Sequence, residues 1–271
     1  MRSSINSRSY SHGFTLVELV SVIVLLGIVA TASSQFIRQA IEIYSDSIDY
    51  DRLQQQGRFS IERMTRELRN ALPGSIRVSS DVGIQCLEFM PIKAASNYLQ
   101  QVTGANVTTL PVVDIGYSFV SGDRLVIFPI ENSSVYGAAA TGIGDISGAT
   151  AAVGNVQTIS LSSENFLYDS PSNRFYIVNQ PVSFCASDNS ITRHQGYIAT
   201  ASAVAPPNSG SVLARNIRLQ DGVDAVTVFV FSDGVLQRSG LVSLDLRFSE
   251  TTSLGNDWAR FRQQVLVRNA P

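Results

Sequence analysis

The sequence predicts an α+β chain: a long N-terminal helix, part membrane anchor and part amphipathic, packed on an antiparallel, β-rich globular domain. Three observations predict it. Phe14 to Ala32 is an apolar run interrupted by a single acid, Glu18. Helical spacing of apolar residues then continues from Ile37 to Leu72, and from Ser75 it gives way to short runs with strand-like alternation. With 271 residues, 29.3 kDa and no second composition regime, the chain has room for one core on a stalk.

Phe14 to Ala32 as a helix reaches roughly 28 Å, about one hydrocarbon thickness. Arg2 and Arg8 precede it with no acid, so the start of the chain stays on the cytoplasmic side of the membrane and the remainder is exported. Glu18 is the anomaly. An unpaired charge near a bilayer's centre costs about 2.5 to 3.5 kcal/mol on the lenient insertion scale, so this carboxylate needs a partner. An ordinary signal anchor gains nothing from it.

The segment Gly13-Phe14-Thr15-Leu16-Val17-Glu18, followed by an apolar helix, resembles the leader junction of type IV prepilins and type II secretion pseudopilins. The resemblance implies a leader over residues 1–13, cut by prepilin peptidase between Gly13 and Phe14, with N-methylation of the new terminus at Phe14. It also implies that Glu18, five residues into the mature chain (18 − 13 = 5), serves subunit assembly by pairing with the terminal amine of a neighbour. Many major pilins of this kind carry a proline in the second half of the helix. Ile28 to Gln35 has none, which points to a minor or initiating subunit with an unkinked helix.

Residues 14–34 form the transmembrane part of the helix and 35–72 the amphipathic part. Ile37, Ile41, Tyr44 and Ile48 repeat at i, i+4, i+7 and i+11, and Ile61, Met64, Leu68 and Leu72 continue the pattern as a core face. Arg38/Glu42, Glu62/Arg66 and Arg63/Glu67 are spaced to pair along a solvated face. Pro73-Gly74 ends the helix and Gly57 loosens it locally. Arg52 to Pro73 is similar to the stretch after the anchor in J-type pseudopilins and, more closely, in MshO-type minor pilins of mannose-sensitive haemagglutinin (MSHA) pili. Cys86-Leu87-Glu88-Phe89, Pro181 to Cys185 and the ending Gln264 to Pro271 add to that likeness. Residues 93–160 carry none of it.

A domain exported from the cytoplasm, as the leader implies, favours a disulfide between Cys86 and Cys185, with two separate buried thiols as the alternative. Neither cysteine belongs to a Cys-x-x-Cys pair, so a thiolate metal site is not expected.

Residues 75–271 read as the periplasmic β-rich domain. Val242 to Ser249 alternates throughout, and Ile84–Phe89, Arg124–Phe128, Val156–Leu161, Arg174–Val178, Val182–Cys185 and Gln263–Val267 are further strands. Val223 to Phe231 has the two-faced apolarity of a central strand. Gly137 to Gly154, almost all small residues, is expected to be a mobile loop rather than closely packed strands, and Ala203 to Gly210 a second loop.

No chemistry of an enzyme is legible. His194 is the one histidine left after the leader, in a turn-like context, and no nucleophile elbow, phosphate loop or metalloprotease motif is present. No catalytic residue, metal or cofactor is expected. A net charge of −2 removes the electrostatic support for nucleic-acid binding. The expectation is a non-enzymatic, single-pass inner-membrane protein that passes into a pilus, its partners being prepilin peptidase and other minor and major pilins. A type II secretion pseudopilin and a ligand-binding minor pilin (adhesin or DNA-uptake) are the alternatives.

Overall fold

The structure, a computed structural model, describes residues 13–104, 106–137, 140–203, 206–207, 209–221, 224–234, 239–252 and 255–267. Helix α1 runs from Leu16 to Leu68, 53 residues without a break. Its stretch up to Asp49 forms one unit and the remainder of the chain from Tyr50 a second, apart from Thr252–Gly255.

In the first unit the helix is long and apolar enough to cross a membrane once. Its apolar side chains are exposed from Phe14 to Ile48, including Ile37, Ile41 and Tyr44. The stripe read as a core face is therefore uncovered in a single chain. Polar side chains inside the apolar run turn back onto the helix: Ser21 Oγ donates to the Glu18 carbonyl at 2.9 Å and Thr31 Oγ1 to the Ile28 carbonyl at 2.9 Å. Such bonding satisfies these hydroxyls where lipid offers them no partner.

In the second unit α1 buries Leu53, Gly57, Ser60, Met64 and Leu68, a stripe at helical three- and four-residue spacing. Gly57 does not loosen the helix. A Cβ there would lie 2.0 Å from Phe261 Cε2, so the missing side chain is the seat of that ring. The helix ends at Leu68, four residues short of the expected Leu72. Asn70 and Leu72 are already committed to a strand-like partner: the Ile92 N–H donates to the Asn70 carbonyl at 2.9 Å and the Leu72 N–H to the Met90 carbonyl at 2.8 Å. Pro73 disfavours helix at Leu72, and Gly74 turns the chain with φ +72°.

The strands follow in order: β1 Arg77–Asp81, β2 Ile84–Phe89, β3 Ile92–Asn97, β4 Val107–Val113, β5 Arg124–Ile127, β6 Ile143–Ala149, β7 Val156–Glu164 and β8 Arg174–Val178. Then come β9 Val182–Ser187, β10 Ser190–Gln195, β11 Ser211–Arg215, β12 Gln220–Asp221, β13 Asp224–Ala225, β14 Phe229–Ser232, β15 Gly240–Thr252 and β16 Gly255–Val267. They form a five-stranded sheet β1-β2-β9-β10-β11, a six-stranded sheet β3-β8-β5-β6-β7-β4, a three-stranded sheet β14-β15-β16 and a short β12-β13 ladder. Among the described residues the ladders of the five- and six-stranded sheets and the β14–β15 pair are antiparallel.

The six-stranded sheet is an insertion between β2 and β9, which pair with each other directly. Its outer strands meet: Tyr98 bridges Val112, the Leu99 N–H donates to the Pro111 carbonyl at 2.9 Å, and Ser96 Oγ donates to the Val113 carbonyl at 2.8 Å. The sheet thus curls into a small barrel with its own core, including Leu110, Leu125, Ile159, Phe175 and Ile177. Period-2 geometry explains why β5 and β8 are apolar on both faces. Leu125 and Ile127 look into the barrel, whereas Val126, Tyr176 and Val178 pack outside it with Leu72, Met90 and Tyr136.

The main core joins the second part of α1 to the five- and three-stranded sheets, with Phe89, Phe184, Phe229 and Phe248 fully buried. Each such side chain contributes about 1.5 to 3 kcal/mol of burial. Two sequence readings change here. Ile143–Ala149 is strand β6 inside the barrel wall, not a loop, and the run expected as a central strand, whose Val223 lies outside the described residues, breaks at Val226 into β13 and β14, the latter at the edge of its sheet.

Candidate functional site

The first candidate site is the start of α1. Gly13 is exposed and a Cβ on it would meet nothing within 4 Å, so local packing does not require glycine there. Phe14 is 75% exposed. Thr15 precedes the helix and its Oγ1 accepts the Glu18 N–H at 3.3 Å, the N-cap to N3 bond. Thr15-Leu16-Val17-Glu18 is therefore also a capping-box sequence, which gives the acid a second, local role. An acid in the first turn suits the positive end of the helix dipole. Glu18 itself is exposed, and among the described residues no Lys or Arg precedes Arg38.

The second candidate is the neck of the barrel. Cys86 on β2 and Cys185 on β9 stand directly opposite each other, 4.1 Å between Cα atoms, and are disulfide-bonded across 99 residues of chain. The bridge lies on the two strands that lead into and out of the insertion. Beside it Arg77, Glu88, Ser183, Tyr136 and Tyr197 form a buried polar group.

His194 does not lie in a turn: it belongs to β10, half-buried, opposite Ser183 of β9. Of the charge pairs expected along the helix, Arg63/Glu67 forms, at 2.5 Å, but Glu67 is not a solvated residue. Its carboxylate also accepts Arg193 Nε at 3.0 Å, fixing α1 to β10.

Two aspartates organise the barrel ends. Asp123 accepts Lys93 Nζ at 2.9 Å, Asn179 Nδ2 at 2.9 Å, the Tyr117 hydroxyl at 3.0 Å and the Val120 N–H at 2.9 Å. Burial works against its ionisation, but these bonds outweigh it and hold its carboxyl below the usual range. Asp169 accepts Thr103 Oγ1 at 2.5 Å, the Val102 N–H at 2.9 Å and the Tyr98 hydroxyl at 3.3 Å, and is lowered in the same way. These are structural acids, each saturated with donors. Among the described residues no group of three or more His, Cys, Asp or Glu side chains is placed to hold a metal ion.

Residues 8–34 match the family model described as Prokaryotic N-terminal methylation motif. The match covers the junction at Gly13 and the apolar run and none of the β-rich domain, and it gives the chain a type IV prepilin-like N-terminus. No curated protein and no solved structure matches the chain. Residues 1–12, the body of the expected leader, lie outside the described residues.

Proposed function

We propose that this chain is a minor pilin of an MSHA-like type IV pilus that acts in pilus assembly or initiation, without enzymatic activity. Prepilin peptidase cuts between Gly13 and Phe14 and Phe14 is methylated. Residues 14–34 anchor the protein once in the inner membrane, with the β-rich domain periplasmic, before it enters the pilus beside other minor and major pilins.

The observation that carries this reading is the first unit of α1: a run of exposed apolar side chains from Phe14 to Ile48, whose membrane-length part, residues 14–34, holds a single carboxylate, Glu18, inside a matched methylation motif. An anchor needs about 20 apolar residues. This stripe continues past that length to Ile37, Ile41, Tyr44 and Ile48, where water would replace lipid, so it calls for protein neighbours. Glycine at 13, which packing does not ask for, fits a demand made by a peptidase. The same features suit a type II secretion pseudopilin.

The test is co-expression with prepilin peptidase and mass measurement of the product. The expected species begins at methylated Phe14; a protein that reaches the envelope with residues 1–13 attached overturns the proposal.

A further inference from the structure

We propose that strand β16 is a docking edge that takes an acidic, extended segment of a partner protein, with Trp258 as its anchor. The inference does not rest on what the N-terminal helix does.

β16 is the outer strand of the β14-β15-β16 sheet and spans 13 residues, Gly255–Val267. Among the described residues no strand lies along its other side. An outer strand of that length presents a row of backbone donors and acceptors on which another chain can pair. Its side chains alternate: Ala259, Val265 and Val267 are buried toward the core, whereas Trp258, Arg260, Arg262, Gln264 and Leu266 face outward. The outward row has no acid. Trp258, the chain's one tryptophan, is 69% exposed, and it lines a 280 Å³ hollow with Arg218, Arg247, Phe248 and Arg260.

The charge around this row is unlike that of the whole chain, which carries −2. Arg218 and Arg247 share Asp221, at 3.2 and 2.7 Å, while Arg247, Arg260 and Arg262 converge on Asp245 at 3.6, 2.5 and 3.5 Å. Four guanidiniums thus stand against two carboxylates. Arg247 Nε is buried with no hydrogen-bond partner. Surplus cationic donors beside an exposed indole are the composition of an interface anchor, and Arg and Trp lead among residues that carry binding energy. Pairing with an identical copy through the middle of the strand is disfavoured. An antiparallel register centred on Arg262 sets that arginine against itself, and like charges directly opposite destabilise a ladder. A strand that places Glu or Asp on the same face supplies the missing charge and the missing ladder together.

Full-length protein in detergent micelles is titrated with three probes: a twelve-residue peptide alternating Glu and Val, one alternating Lys and Val, and the Glu-Val peptide N-methylated at alternate residues. Trp258 emission is the readout, since no other indole contributes. The Glu-Val peptide is expected to bind at least tenfold tighter than the Lys-Val peptide, to weaken severalfold between low and high salt, and to lose at least tenfold on N-methylation. The double variant R260E/R262E is expected to reverse the preference, an outcome that only a folded edge can give. Equal binding of acidic and basic peptides, undiminished binding of the N-methylated peptide, or an equal response to a twelve-nucleotide oligo-dT would each overturn the proposal.

Discussion

Arg77 and Glu88 face each other across β1 and β2 in the interior, Nε donating to Oε1 at 2.8 Å with the two side chains 7% and 5% exposed. The other carboxylate oxygen accepts the Tyr197 hydroxyl at 2.8 Å, which also bonds the Ser183 hydroxyl. Arg77 lies 3.7 Å above the Tyr136 ring, whose hydroxyl donates to the Ser75 carbonyl at 2.8 Å. Burial raises both tyrosines well above their ordinary value, and the charge of Glu88 adds to the effect. Both remain neutral donors at any physiological pH. The group joins β1, β2, β9 and the segment after β5, so it registers the barrel on the five-stranded sheet.

Removing one member of such a pair strands the other. Arg77→Met is expected to cost about 3 to 5 kcal/mol, because Glu88 is left charged and buried. The double variant Arg77→Met/Glu88→Leu should recover much of the loss, since well-packed apolar residues often replace a buried pair at little cost. Urea-unfolding midpoints of the two variants check this. A single variant no less stable than the native chain would mean that water reaches the site.

The barrel should lose stability at both ends of the pH scale. Burial, opposed by the Ser170 N–H and aided by the charge of Asp169, pushes Tyr98 up to about 12 from 10.0. A raised value means stability fully present below pH 10 and lost as pH rises toward 12. Asp123 and Asp169 are lowered, so their contribution is present above the ordinary value of 3.8 and is lost as pH falls through the folded values. Asp169→Asn should lower Tyr98 ionisation in part, since burial, the larger cause, stays in place. Tyrosinate absorbance, with Tyr98→Phe identifying the residue, reads it directly.

Reduction of Cys86–Cys185 should destabilise the neck. Closing a loop of this length is worth roughly 4 to 5 kcal/mol in the chain-entropy model. The barrel core contains neither cysteine, so Cys86→Ala/Cys185→Ala is expected to lower the unfolding midpoint while amides of β4 to β7 stay protected from exchange. Loss of protection in β6 and β7 on reduction would show that the barrel depends on the bridge.

Much of this architecture was legible where local pattern and final environment agree. β2 and β8 coincide with the runs read from sequence, and Val242–Ser249 lies within β15, because a half-buried strand writes its alternation into its side chains. β6 was not legible: Gly144, Ser147 and Gly148 look like loop chemistry, yet a Cβ on Gly144 would lie 2.6 Å from Glu164 Cγ, so smallness there serves close packing. Nor was the separate barrel core, since no linker composition marks an insertion whose ends pair directly. The Ile37 to Ile48 stripe differs for the opposite reason: its period is helical, yet its side chains are exposed in the single chain. At the candidate site, spacing singled out Glu18 but not that Thr15 would share its backbone N–H.

Gly57 makes that conflict between local and tertiary preference measurable. In an isolated helix, alanine is better than glycine by about 1 kcal/mol. Here the added Cβ would overlap the Phe261 ring at 2.0 to 2.5 Å, and Phe261 packs edge-on to Phe248, 5.8 Å between centroids. Gly57→Ala is expected to destabilise by about 1 to 3 kcal/mol, as overpacking does. In a Phe261→Ala background the same change should become neutral or stabilising. Additive effects of the two substitutions would show that ring and helix do not compete for the space.

Glu18 stands at N3 of the helix as well as five residues past Gly13, so its two roles must be separated. Glu18→Leu cannot do this, since it removes both the charge and any reach back toward the N-cap. Glu18→Gln can, because glutamine serves a capping box as well as glutamate does. Thr15→Val is the reciprocal change: it deletes the Oγ1 acceptor, costing about 0.5 to 2 kcal/mol at the helix start, and leaves the carboxylate. If the acid answers a neighbour's terminal amine, Glu18→Gln and Glu18→Leu are both inserted and cleaved but fail to enter filaments, while Thr15→Val is incorporated. If the acid matters only to the helix end, Glu18→Gln assembles normally and Thr15→Val does not. Quantifying each variant in sheared pili against the membrane fraction decides between them, since only a demand for charge separates Glu18→Gln from the native chain.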